Sequence, residues 1–138
     1  MIKSTPMNVI LPSKFEPFAE IIWNFKPRKD DIWIVTYPKC GTTLTQEIMW
    51  QIANGIQLDS EESKNFIFLR SPFFEVSMLA TSLPPPPDAI LDDKAKMFQD
   101  SIAWTEKLES PRIIKSHLPI SMLPPNIFDT AKILYVGR

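Results

Sequence analysis

The chain has 138 residues, enough for one domain with a real core, and its 44% hydrophobic and 22% charged content is that of an ordinary globular protein. With 15 Lys and Arg against 16 Asp and Glu, the net charge of −1 excludes the broad basic field of a nucleic-acid binder, so any anion site has to be built locally. One cysteine excludes an internal disulfide framework and fits a reducing, cytoplasmic setting, and no stretch approaches the roughly 18 apolar residues of a membrane span.

Residues 1–20 do not read as a signal peptide, because the apolar run Val9-Ile10-Leu11 is short and Pro6, Pro12 and Pro17 interrupt it. Phe15, Phe18, Ala19 and Ile22 follow i, i+3, i+4, i+7 spacing, which predicts a short amphipathic helix. Ile32-Trp33-Ile34-Val35-Thr36 is apolar without alternation, the pattern of a strand buried on both faces in a parallel sheet. A loop through Tyr37-Pro38-Lys39-Cys40-Gly41-Thr42 leads to a helix expected from Thr43. Thr43 and Gln46 are placed as a capping box, Leu44, Ile48, Met49 and Ile52 give an apolar face, and Gly55 is set to end the helix. Residues 66–69 read as a short extended segment, and Pro84, Pro85, Pro86 and Pro87 as a stiff extended loop. Residues 94–109 read as a helix with Phe98, Ile102 and Thr105 on one side, ended by Pro111. Arg112-Ile113-Ile114-Lys115 and Lys132-Ile133-Leu134-Tyr135-Val136 are two further strands. Strands separated by helical patterns predict an α/β fold, a P-loop-like parallel sheet flanked by helices.

In such a sheet, ligands bind beyond the carboxyl ends of the strands. Each of the three strands ends in a cation: Lys39, Lys115 and Arg138. A near-neutral protein that gathers cations on one rim is built to hold a polyanion there. The first loop adds the N-terminus of a helix, whose free N–H groups and dipole favour phosphate or sulfate. Gly41 permits close backbone approach, and Thr42 and Thr43 offer hydroxyls. The lysine precedes the glycine, unlike the order in a nucleotide triphosphatase loop, and no second-strand Asp is placed to hold magnesium. His117, the only histidine, shares the rim, where neighbouring positive charge keeps an imidazole neutral and able to act as a base. Cys40 invites a thiol-enzyme reading, but no arginine follows within the loop as a cysteine phosphatase requires, so it reads as a passive small residue of the cradle. The aromatic group Phe66, Phe68, Phe73 and Phe74 reads first as core, with an apolar acceptor pocket as the alternative.

The stretch Thr36-Tyr37-Pro38-Lys39-Cys40-Gly41-Thr42-Thr43 resembles the 5′-phosphosulfate loop of the cytosolic sulfotransferases, whose pattern is Tyr-Pro-Lys-Ser-Gly-Thr-Thr-Trp. Pro111-Arg112-Ile113-Ile114-Lys115-Ser116-His117-Leu118-Pro119 resembles that family's catalytic-histidine stretch. Arg70-Ser71-Pro72-Phe73-Phe74-Glu75 resembles a segment bordering its acceptor pocket, and Ile133-Leu134-Tyr135-Val136-Gly137-Arg138 the strand leading to its 3′-phosphate contact. The resemblance runs from about Ile32 to the last residue.

It implies 3′-phosphoadenosine 5′-phosphosulfate as donor, a phenol, steroid, alcohol or amine as acceptor, and no metal. By the same resemblance, Lys39 contacts the transferring group, and Gly41, Thr42 and Thr43 hold the 5′-phosphate. Cys40 and Leu44 line the donor, and Arg138 binds the 3′-phosphate. His117 takes the acceptor proton, Lys115 steadies the transition state, and Phe73, Lys115, Ser116 and His117 border the acceptor. Cys40 replaces the usual serine, and Leu44 the tryptophan that stacks on adenine, which weakens stacking by about 1 kcal/mol. Full-length members are often homodimers. The resemblance makes residues 1–138 the amino-terminal part of one sulfotransferase domain, expected to be inactive and aggregation-prone alone. The alternative is a non-catalytic remnant that binds a nucleotide or a partner.

Overall fold

The computed structural model describes residues 2–4, 9–11, 13–79 and 91–137, with side chains from Phe15 onward; the proline run at 84–87 and Arg138 lie outside the described residues. Strands β1 (Ile2–Ser4) and β2 (Val9–Leu11) pair antiparallel, Ile2 opposite Leu11. A 3-10 turn over Ser13–Phe18 runs into helix α1 (Ala19–Asn24), and the predicted spacing delivers Phe15 and Ile22 to the core.

The centre of the fold is β3 (Ile32–Thr36), flanked in parallel by β4 (Ile113–Ser116) and β5 (Lys132–Val136) in the order β4-β3-β5. Ile32 lies opposite Ile113 on one side and Lys132 on the other. Because side chains alternate along a strand, Trp33 and Val35 enter one core with Ile114, Phe25 and Phe74, while Ile34 enters a second with Ile113 and Trp50. That double burial is why the β3 sequence shows no alternation. Phe25, Trp33 and Phe74 meet edge to face, with ring centroids 4.9–5.8 Å apart.

The amino-terminal end of the sheet is tied by a buried ion pair. Arg112 Nε and Nη2 donate to the two carboxylate oxygens of Asp31 at 2.7 and 2.5 Å, and both side chains are almost fully enclosed. The backbone of the same two residues completes the ladder, Ile32 N donating to Arg112 O and Lys132 N to Asp31 O.

Helix α2 (Thr42–Ala53) follows β3 and departs from expectation in two ways. It starts one residue early, behind Gly41, and no side chain caps it. The expected capping box does not form, because Gln46 is buried and turns its amide to Ser71, donating to the carbonyl at 2.8 Å and the hydroxyl at 3.1 Å. The face on the sheet is Thr42, Gln46 and Trp50, with Met49 and Ala53 beside it, whereas Leu44, Ile48 and Ile52 are exposed. Positions two apart lie ~200° round a helix, so the helix carries apolar residues on both sides. Only Met49 of the expected face packs inward. Gly55 ends the helix as expected, with φ +80° and Ile56 N donating to Gln51 O at 2.7 Å.

Short helices α3 (Glu61–Lys64), α4 (Ile67–Arg70) and α5 (Val76–Leu79) cross toward the next layer. Residues 66–69 are therefore mostly helical rather than extended. Arg70 makes paired 2.7 Å bonds to Glu47 and stacks over Trp50, which locks α4 onto α2. The long helix expected at 94–109 is two, α6 (Asp93–Gln99) and α7 (Ser101–Lys107). Asp100 breaks it by leaving helical geometry and accepting from Ala103 N as a cap, as Asp92 does for Ala95 N. Helix α8 (Ile127–Thr130) leads into β5.

Candidate active site

Beyond the carboxyl ends of β3 and β4 lies a cleft of about 380 Å³ lined by Pro38, Lys39, Gly41, Thr42, Thr43, Leu44, Lys115 and His117. One wall is the loop from β3 to α2. Lys39 takes a left-handed backbone conformation, φ +68°, and Gly41 another at +91°. These two reversals turn the chain sharply enough to aim the first turn of α2 at the cleft. That turn has no side-chain cap, and the first N–H groups of a helix have no partner within it, so they are available to an anion. A Cβ built on Gly41 would meet nothing within 4 Å, so glycine is required here by φ rather than by crowding.

The facing wall comes from β4 and the turn after it. His117 Nδ1 is 2.9 Å from the Thr36 carbonyl oxygen and 3.0 Å from the Thr36 hydroxyl. A carbonyl only accepts, so Nδ1 carries the hydrogen and Nε2 keeps its lone pair. The Thr36 and Thr42 hydroxyls share a further hydrogen bond at 2.6 Å. A line of hydrogen bonds thus joins the imidazole to the first residue of α2. Burial holds the His117 imidazole below its ordinary pKa; the bond to the Thr36 carbonyl opposes this, and the Lys115 charge adds to it. The ring stands edge-on to Phe73, 5.1 Å between centroids.

Lys115 emerges from β4 with its ammonium 4.1 Å from the Phe73 ring centre and 5.1 Å from that of Phe68. Burial lowers its pKa below the usual lysine range, and the charge of Glu75 partly restores it. Glu75 is enclosed behind this wall. Its Oε1 accepts from the His117 backbone N–H at 2.6 Å and its Oε2 from the Ser116 hydroxyl at 2.9 Å. Burial raises its pKa to about 7 against the pull of these hydrogen bonds and of Lys115.

The structure therefore brings Lys39, Gly41, Thr42, Thr43, Leu44, Lys115 and His117 onto one cleft. Cys40 is half-exposed beside the loop, its thiol 3.9 Å from the Pro38 carbonyl and outside the cleft lining. Ser116 is fully buried, its hydroxyl turned back to Glu75, and Phe73 packs under the imidazole rather than lining the cleft. Two residues that hold His117 in place went unread in the sequence. Thr36 reads only as the end of a strand. Glu75 carries a signal in hindsight, a carboxylate set in the apolar run Phe73-Phe74-Glu75-Val76, where burial forces a role on a charge.

A sulfotransferase domain family matches residues 29–138. The chain belongs to the sulfotransferase family. It is 34% identical over 124 residues to luciferin sulfotransferase of Photinus pyralis, an alignment covering 88% of this chain and 33% of that protein. It is 35% identical over 125 residues to sulfotransferase 1A1 of Mus musculus, covering 90% and 37%. Among solved structures, retinol dehydratase in complex with retinol and PAP superimposes with a TM-score of 0.76 at 27% identity, covering 96% of this chain and 43% of that one. The chain thus spans about a third of the length of these sulfotransferase relatives. No helix among the described residues is long and apolar enough to cross a membrane.

Proposed function

We propose that this chain forms the donor cradle and the catalytic base of a sulfotransferase that uses 3′-phosphoadenosine 5′-phosphosulfate. The observation that carries the reading is the convergence of an uncapped helix N-terminus, Lys39, Lys115 and a neutral His117 on a single cleft. The donor's chemistry fits these residues. The open space off Gly41 and the free N–H groups of the first turn of α2 suit a phosphate, Thr43 adds an exposed hydroxyl, and Lys39 adds charge. When bound, the donor supplies an activated sulfuryl group. Lys39 and Lys115 set fixed positive charge around the place where negative charge develops. His117 Nε2 accepts the proton of the incoming hydroxyl or amine, and the Thr36 carbonyl, holding Nδ1–H, keeps Nε2 free for it. The family resemblance of residues 133–138 assigns Arg138 to the 3′-phosphate.

Phe73 beneath the imidazole and Phe68 beside Lys115 give this side of the cleft an apolar backing, which suits a small apolar acceptor carrying a hydroxyl or amine. Relatives named for luciferin or solved with retinol or androsterone support that class. A lone cysteine suits work in the reducing cytoplasm.

The deciding experiment is calorimetric binding of 3′-phosphoadenosine 5′-phosphate to the chain and to its Lys39→Ala variant. Binding that weakens at least tenfold in the variant is the expected result. Equal binding by both would reject Lys39 as a donor contact, and binding by neither would reject the cradle as a self-sufficient site.

A further inference from the structure

The imidazole of His117 sits on a turn that neither the sheet nor a helix organises. β4 ends at Ser116, and Leu118 and Pro119 lead only to a short 3-10 turn over Ile120–Met122. One carboxylate does the organising. Glu75 Oε1 receives the His117 N–H, Oε2 receives the Ser116 hydroxyl, and that hydroxyl in turn receives the Leu118 N–H at 3.0 Å. Three consecutive residues thus depend on one side chain that is 1% exposed. The carboxylate is itself fixed, since its neighbour Phe74 donates its N–H to the Lys115 carbonyl and Lys115 N donates to the Pro72 carbonyl, both at 2.9 Å. The segment 72–75 is thereby laced along β4 beside the residues it holds.

A buried carboxylate is expensive, and an apolar side chain would fill the same space at less cost. Its retention needs a use, and the geometry offers one. From this we propose that Glu75 is a positioning residue: by anchoring the turn at residues 116–118 it holds the His117 imidazole against Thr36, which fixes the Nδ1–H tautomer and aims Nε2 at the cleft. The inference deepens the sulfotransferase reading and rests on it for its catalytic meaning, but its geometric content is testable without turnover.

His117 is the only histidine, so its ring nitrogens can be followed by nitrogen-15 NMR without assignment ambiguity. The charged groups facing the ring are Lys115, from β4, and Lys39, across the cleft; the spectra are recorded well above the imidazole pKa so that tautomer alone is read. The wild-type chain should show the Nδ1–H form. Glu75→Gln keeps an oxygen for the His117 N–H and should keep that form. Glu75→Asp draws the carboxylate back by one methylene, and Glu75→Ala removes it. In both, the freed ring should move toward the Nε2–H form that solvated imidazole favours, the Nε2–H fraction rising several-fold, most in the alanine variant. A folded Glu75→Ala or Glu75→Asp chain with the wild-type tautomer would overturn the proposal. Should alanine prevent folding, the aspartate variant decides by itself.

Binding of 3′-phosphoadenosine 5′-phosphate, measured in parallel, separates the two readings. A tautomer change in Glu75→Asp with wild-type affinity supports the clamp and localises its effect to the base. A wild-type chain that binds no ligand rejects the self-sufficient cradle, while the tautomer data still decide the clamp.

Discussion

Glu75 and His117 give the folded state opposite responses to pH. The carboxyl of Glu75 is raised from 4.5 to about 7, so the fold binds its proton more tightly than the unfolded chain does. Its contribution to stability is full below pH 4.5 and is lost as pH rises through about 7, by about 3 kcal/mol in total. The His117 imidazole is lowered, so its contribution is present above 6.5 and is lost as pH falls through its depressed folded value. Urea unfolding from about pH 4 to about pH 8 should therefore show Glu75→Gln gaining about 3 kcal/mol on the wild type as pH rises. A pH-independent difference would show that the buried carboxyl does not titrate in this window. By NMR, the single imidazole should titrate below 6.5, and Lys115→Ala should raise that midpoint by removing a neighbouring positive charge. A midpoint at or above 6.5 in the wild type would rule out the neutral base described for the cleft. Gly41 is a simpler case. With open space at its Cβ position, Gly41→Ala should cost only the left-handed backbone penalty, about 1 kcal/mol in chemical denaturation, and a much larger loss would reveal a contact the loop does not display.

At the scale of elements, what the sequence revealed and what it hid follow from the range of the forces. β3 is legible because its burial is written into five consecutive residues, β5 because its run of β-forming apolar residues marks a strand even where it is exposed, and Gly55 because a positive φ at a helix end is a local demand. The cleft residues Lys39, Gly41, Thr42, Thr43, Lys115 and His117 are legible for the same reason: each lies within a loop or strand end whose chemistry can be read in place. The face of α2 is not, since two apolar stripes compete and only packing against β3 and β4 selects Trp50 over Ile52. Nor are Thr36 and Glu75, whose roles arise from contacts with His117, far along the chain. The division of residues 94–109 turns on a balance between helix propensity and capping at Asp100. Asp100→Ala should shift it, costing about 1 kcal/mol of stability in a urea titration. No loss would mean that packing of α6 and α7, rather than the cap, sets the break.

For the molecule as a whole, Leu44, Ile48 and Ile52 form an exposed apolar stripe, Leu134 and Tyr135 add apolar surface on the edge strand β5, and the expected consequence is self-association of the chain. Replacing Ile48 and Ile52 with lysine should lower the weight-average mass in sedimentation without lowering the melting temperature, because neither side chain is in the core. A melting temperature lowered by several degrees would show that the stripe is packed after all. The order β4-β3-β5 also has a consequence for synthesis. β3 is the central strand of the three, yet both of its neighbours are encoded far downstream, with Asp31 and Arg112, just before β3 and β4, 81 positions apart. At ordinary elongation rates a nascent chain needs roughly 4–16 s to make that stretch. For that time Trp33, Ile34 and Val35 leave the ribosome without a partner strand, a window in which a chaperone, or another unfinished chain, reaches them first.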